Sequence, residues 1–304
     1  MSDWLHDLPV IWMAVLVSGV IYLITAAIYA VVMVFATGER ARAFKVISPG
    51  LLSPLGTLFG LFVVFTTLQV WNDNDRANAA VDREASALGE VVALADSFPG
   101  EPQARLRALI RRHIEVAATE EWPMMAHRTA TLNITPRHLD EAMQLTFALT
   151  PTSQGQQIAQ REIATHLGAA FDARRQRILV SQQEVNFGKW ACLFVEAFCV
   201  MLAIALMQSD NRLTATITMG LFATGVAASV VLILSHDRPF IGQLSVGPDP
   251  LLQAMPEAEA SQVLDRSQPG SPSGVADGKT KLEPPSASRK ARERRKPGGL
   301  RTSR

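Results

Sequence analysis

Residues 53–98 read SPLGTLFGLFVVFTTLQVWNDNDRANAAVDREASALGEVVALADSF. The first half, through Trp71, is apolar, nearly free of charge and long enough to cross a bilayer. The second half is charged but keeps an apolar stripe at Val81, Ala85, Leu88, Val92 and Ala95, with Phe98 close behind. Steps of three and four are helical. No Pro or Gly-Gly interrupts the join, so the stretch predicts one helix that leaves the membrane and enters a polar domain. At 1.5 Å per residue it is about 65 Å long.

Composition agrees. Of 304 residues, 48% are hydrophobic and 19% charged, too apolar for an ordinary soluble domain. The net charge of +1 implies no nucleic-acid partner. Cys192 and Cys199 lie seven apart in an apolar run, a spacing expected for buried thiols rather than a disulfide or a metal pair. Asp3 and Asp7 precede the first apolar run, which is too long for a cleaved signal and should remain as a membrane helix.

The chain divides as follows. After a short segment, 1–8, residues 9–36 form a first span, with Trp4, Trp12, Tyr22 and Tyr29 as interface anchors. A basic loop, Gly38 to Gly50, carries Arg40, Arg42 and Lys45. Residues 51–71 are the second span, 189–208 the third and 213–234 the fourth, the last two joined by a short polar turn. Residues 72–187 form a helical domain, with no strand pattern and no repeat. One of its helices follows Pro102, with Leu106, Ile110, Ile114 and Ala117 inward. Another opens at Thr135-Pro136 and runs through Leu149. A third runs from about Gln156 to Asn186, with Ile158, Leu167, Phe171, Arg174 and Ile178 at helical steps, and continues into the third span. Residues 235–253 wrap back over the helices. Residues 254–304 are a Pro-, Ser- and Gly-rich tail ending in a basic cluster. Such a tail is expected to be disordered, either simply solubilising or bound to anionic lipid.

Lys and Arg near span ends set orientation. Arg76, Arg83, Arg174, Arg175, Arg177, Lys189 and Arg238 fall on one side, and Arg40, Arg42, Lys45 and Arg212 on the other. The balance places the helical domain and both termini in the cytoplasm, with the spans in the inner membrane.

Turning the second span by 100 degrees per residue groups two faces. Gly56 and Gly60, with Val63 and Thr67, let another helix approach closely. Phe59, Phe62, Thr66, Gln69, Asp73 and Arg76 pass from aromatic to polar to charged. That gradient suits a pore with a hydrophobic gate; a helix buried among its own spans would show it too. Glu196, well inside the third span, reads as an ion or proton site, or as a neutral acid bonded to Thr66 or Gln69. The threonines of the fourth span, Thr214, Thr216, Thr218 and Thr224, are expected to bond back to their own helix. His113, Glu115, Glu120, Glu121, His127, His138 and Asp140 form no metal or catalytic spacing. The chain therefore reads as a non-enzyme without cofactor or metal.

Five stretches together resemble the bestrophin-like domain family of membrane proteins, which are distantly similar to bestrophin anion channels. They are GTLFGLFVVFTTLQVW; Val81 to Ala85, with Glu84; Glu121-Trp122-Pro123; Arg174 and Arg177; and Asp237 to Gly242, with Pro239 and Phe240. The resemblance covers roughly Leu51 to Leu252. It implies an all-α membrane protein with four spans and a helical cytoplasmic domain between the second and third. It also implies a homopentamer conducting small anions, chloride above all, with the second span lining the pore and Phe59, Phe62 and Thr66 at its neck. The implied partners are membrane lipid, ions and copies of itself. A non-conducting scaffold or sensor, whose helical domain binds a partner, is the alternative from another class.

Overall fold

The computed structural model of the chain is described for residues 8–35, 50, 52–209 and 211–257. The greater part of the basic first loop and of the basic tail lies outside these residues. The described residues are helical, without a strand. In order they form α1 (Val10–Phe35), α2 (Leu52–Leu94), α3 (Glu101–Val116), α4 (Trp122–Ala126), α5 (Arg137–Ala148), α6 (Gln154–Ser181), α7 (Phe187–Met207), α8 (Arg212–His236) and α9 (Asp249–Gln253).

Four helices are long and apolar enough to cross a membrane: α1, α2, α7 and α8. They share one core, with Met13 and Ile21 of α1, Phe59 of α2, Leu193 of α7 and Met219 and Ile233 of α8. The remaining helices share a second core around Leu88, Ile110, Leu139, Ile163, Leu167 and Leu251. α2 runs through both, packing on α7 and α8 with its first half and on α6 with its second. Val81, Ala85 and Leu88 are buried as the stripe predicts. α2 ends in a 3-10 turn, Ala95–Ser97. Gly100 then adopts φ +95, a left-handed value that a side chain would resist, ahead of α3.

The sequence expectations need four corrections. First, α6 does not continue into the third span. The chain breaks at Gln182 to Asn186 because other groups take its backbone there. Asp237 Oδ1 accepts from Val185 N–H at 2.7 Å, and the Asn186 side chain caps α7 by accepting from Gly188 N–H. Second, Ile158 is exposed, and Ala159, Ile163, Leu167 and Ala170 carry the buried face of α6. Third, α3 passes through a π turn, Ala117–Glu121, directly into α4; periodicity gave no sign of this widening. Fourth, Cys192 and Cys199 are both exposed and unpaired, on the α7 face away from its neighbours.

Candidate functional site

Glu84 (α2), Glu121 (π turn), Trp122 (α4), Arg174 and Arg177 (α6) are far apart in sequence and meet in the second core. Arg177 is fully buried, as is Glu84. Its Nε donates to Glu84 Oε2 at 2.8 Å and its Nη2 to Glu84 Oε1 at 3.2 Å and to Glu121 Oε2 at 2.9 Å. Arg174, one helical turn earlier, donates to Glu121 Oε1 from Nε at 2.8 Å and from Nη2 at 2.5 Å. His113 Nε2 lies 3.0 Å from Glu84 Oε1; an ionised carboxylate only accepts, so this nitrogen carries the proton. The Arg177 guanidinium carbon stands 4.7 Å from the Trp122 ring centroid, a cation–π contact.

Two carboxylates thus balance two guanidiniums away from water, which is tolerable only because nearly every oxygen is hydrogen-bonded. Burial opposes ionisation of Glu121, but the charges of Arg177 and Arg174 and the Arg174 hydrogen bond outweigh it and hold its carboxyl below the usual range. Burial likewise opposes the Arg177 charge, yet Glu84 and Glu121 raise its pKa further. The network ties α2, α3, α4 and α6 into one block.

The segment after α8 closes over this block. Trp122 Nε1–H donates to Val246 O at 3.0 Å, and Phe240 meets the Trp122 ring edge-on at 5.8 Å. Pro239 O accepts from Val246 N–H at 2.7 Å. Between them Gly242 takes φ +92, which the turn requires and a side chain disfavours. Pro123 sits in the first turn of α4, immediately after the π turn.

Asp237, at the α8 exit, reaches the break between α6 and α7. Burial pushes its pKa up to about 6, against the Val185 hydrogen bond and the charges of Arg238 and Arg128, and with Glu184 adding to the rise. Arg128, which has φ +60, pairs with Glu184. An acid with a raised folded pKa stabilises most below its unfolded pKa, and that stability is lost as pH rises through the folded value. The melting temperature should therefore carry a falling component between about pH 4 and 6, worth about 3 kcal/mol at most. Asp237→Asn keeps an acceptor for Val185 N–H without the charge. It should remove that component in a pH series of thermal melts; an unchanged slope would show the acid is not responsible.

The structure distributes the other candidates differently. Phe59 is 8% exposed and packs on Phe222 of α8 at 5.4 Å between ring centroids. Phe62 is half-buried against the core of the spans. Thr66 is buried and donates to Phe62 O at 2.9 Å. Gln69 accepts from Lys189 Nζ at the start of α7. Asp73 is half-buried beside exposed Arg76, at 3.5 Å. From Phe59 to Gln69 this face of α2 packs against the chain's own helices. The adjoining face, with Leu58, Leu61, Phe65 and Leu68 followed by Asn72, Asp75 and Glu90, is exposed, with Arg76 on the edge it shares with the first and Arg83 reaching Gln176 of α6 at 3.1 Å. A Cβ at Gly56 or Gly60 would meet nothing within 4 Å, so no contact inside the subunit requires glycine there. Glu196 is half-buried and its Oε2 has no hydrogen-bond partner; neither Thr66 nor Gln69 takes that role. Thr216, Thr218 and Thr224 donate back to the α8 backbone, and Thr224 also meets Tyr22 OH at 2.6 Å.

Sequence reasoning left out His113, Arg128, Glu184 and Lys189 as partners. His113 was findable: it shares the inward face of Leu106, Ile110 and Ile114, where a polar side chain needs a partner. Among the described residues no group of three or more His, Cys, Asp or Glu could hold a metal ion.

No curated protein and no solved structure matches the chain. The family model for the bestrophin-like domain matches residues 9–251, spanning all four apolar helices, the ion-pair network and the closing segment through Leu251. This multi-pass membrane chain therefore belongs to the bestrophin-like domain family.

Proposed function

We propose that the chain forms a ring of identical subunits, a pentamer by family resemblance, around an ion pore lined by the free face of α2. The conducted ions are small anions such as chloride. The helical part and both termini face the cytoplasm of an inner-membrane protein. One observation carries this reading: α2 leaves a face uncovered from Leu58 to Glu90 that changes from apolar to polar along its length. Leu61, Phe65 and Leu68 supply the hydrophobic neck, and the polar rings continue through Asn72 and Arg76. The small residues Gly56 and Gly60 on the flank of that face allow neighbouring copies to approach. Phe59 and Phe62 serve instead as packing behind the neck.

In a hydrophobic gate, width and wetting set the barrier. Leu61→Ala with Phe65→Ala should raise chloride flux into reconstituted liposomes at least tenfold, with the oligomer size unchanged by light scattering. Potassium flux in the same vesicles reads selectivity. Phe59→Ala is the packing control and should lower thermal stability rather than raise flux. Equal, negligible flux from wild type and double variant, on intact oligomer, would favour the scaffold reading.

A further inference from the structure

The bundle of spans contains an apolar slot that its own side chains leave unfilled. It lies between α1 and α7 with α8 as its floor, and its volume is about 350 Å3. Leu16 and Ile24 mark its ends on α1, Trp190 and Met201 on α7, and Leu234 and Val226 on α8. Its lining side chains are hydrocarbon, aromatic or thioether, with the Trp190 indole N–H as the one N–H among them, so the wall offers water too few partners to hold it. α7 begins and α8 ends beside the polar helices, and the α1 N-terminus lies there too, its Val10 N–H donating to Gln243 Oε1. Trp190 and Leu234 are therefore the shallow end. Met201 is the deep end, where Thr25 Oγ1 donates to its sulfur at 3.4 Å.

The cross-section decides what fits. Leu16 to Ile24 covers about 12 Å of helix, so 350 Å3 corresponds to a section of about 30 Å2. A whole helix about 10 Å across needs about 80 Å2, so a span from a neighbouring copy could lay only side chains across the open mouth, whereas one extended chain fits along the full length. At roughly 30 Å3 per water-sized group, the slot holds on the order of ten methylenes, a single extended chain. We infer that the slot binds one acyl chain of a phospholipid drawn from the leaflet on the side of the polar helices. No residue of α2 lines it, so this inference stands or falls separately from the pore. Exposed Trp12, one turn outward from Leu16 on α1, lies where an interface aromatic is expected.

Trp190 is 6% exposed, so a lipid chain outside the slot does not reach its ring. The full chain is reconstituted in phosphatidylcholine and in the same lipid brominated on the upper part of the acyl chain, level with the shallow end, and the Trp190 emission is taken as the difference between wild type and Trp190→Phe. Brominated chains should reduce that emission at least twofold. Val20→Phe at the mouth and Ala197→Phe on the wall each obstruct the slot and should restore most of the emission, and the two together all of it. Native mass spectrometry of washed, detergent-purified protein should retain about one phospholipid per subunit in wild type, and none in the filled variants. Trp190 emission indifferent to bromine in wild type would overturn the inference and leave the slot to a protein contact, such as a second copy. Equal quenching in a folded, filled variant would overturn it as well. The wild-type comparison reads out even where a filled variant fails to fold.

Discussion

Arg177→Met is expected to destabilise the protein by about 3–5 kcal/mol, read as a large fall in melting temperature in detergent. The loss does not come from packing, because Met fills much of the same volume. It comes from Glu84 and Glu121, which keep their burial and lose the guanidinium that donated to both. Arg177→Lys should not rescue it, since a point-charge ammonium lacks the fork that reaches two carboxylates at once. Adding Glu84→Leu to Arg177→Met should recover part of the loss, because removing both members of a buried pair costs less than removing one. Strict additivity of the two changes would show that the pair is not coupled. Acidification should act in the same direction. A carboxyl with a depressed folded pKa, as in Glu121, contributes stability above its unfolded pKa, and that contribution is lost as pH falls through the folded value. This is opposite in sign to Asp237.

Trp122→Ala is expected to cost a similar amount, about 3–5 kcal/mol for a buried large aromatic, with a more local signature. The ring lies between Arg177 and Phe240, and its N–H holds Val246 O. Its removal undocks the segment after α8 while leaving the carboxylate–guanidinium bonds formed. Hydrogen exchange should rise over Asp237–Gln253 before it rises in α2 or α6. Trp122→Phe keeps an aromatic ring between Arg177 and Phe240 and loses the hydrogen bond, so it should fall between wild type and Trp122→Ala. Uniform loosening of all helices would mean that Trp122 supports the whole block rather than the closing segment.

Much of this architecture is legible in the chain. The join in α2 is readable because apolar periodicity survives the change from lipid to water, as Val81, Ala85 and Leu88 show. The spacing of Arg174 and Arg177 puts them on one face, but their partners come from α2 and the π turn, and pairing at a separation of 93 residues leaves no local trace. The rotation of the second span was harder to read. That helix is apolar all round, so periodicity groups Phe59 with Phe62 but does not say which face meets the rest of the subunit. The break before α7 was hidden for a similar reason: Gln182 to Asn186 contains no Pro or Gly, and the group that stabilises it is Asp237, beyond two spans. The Lys and Arg tally also counted Arg174 and Arg177, which are spent on ion pairs and unavailable to lipid headgroups.

The closing segment has a consequence for synthesis. A ribosome delivers the chain from its N-terminus, so Glu84 emerges long before Arg177, and Trp122 long before Phe240 and Val246. The carboxylate of Glu84 lacks its guanidinium partner until α6 has been made, just ahead of the third apolar helix. Trp122 acquires its ring and carbonyl partners only after the last apolar helix has been translated. The nascent protein is thus unable to finish its water-exposed half before its membrane half is complete, and a chain stalled inside α8 carries an open seam at Trp122.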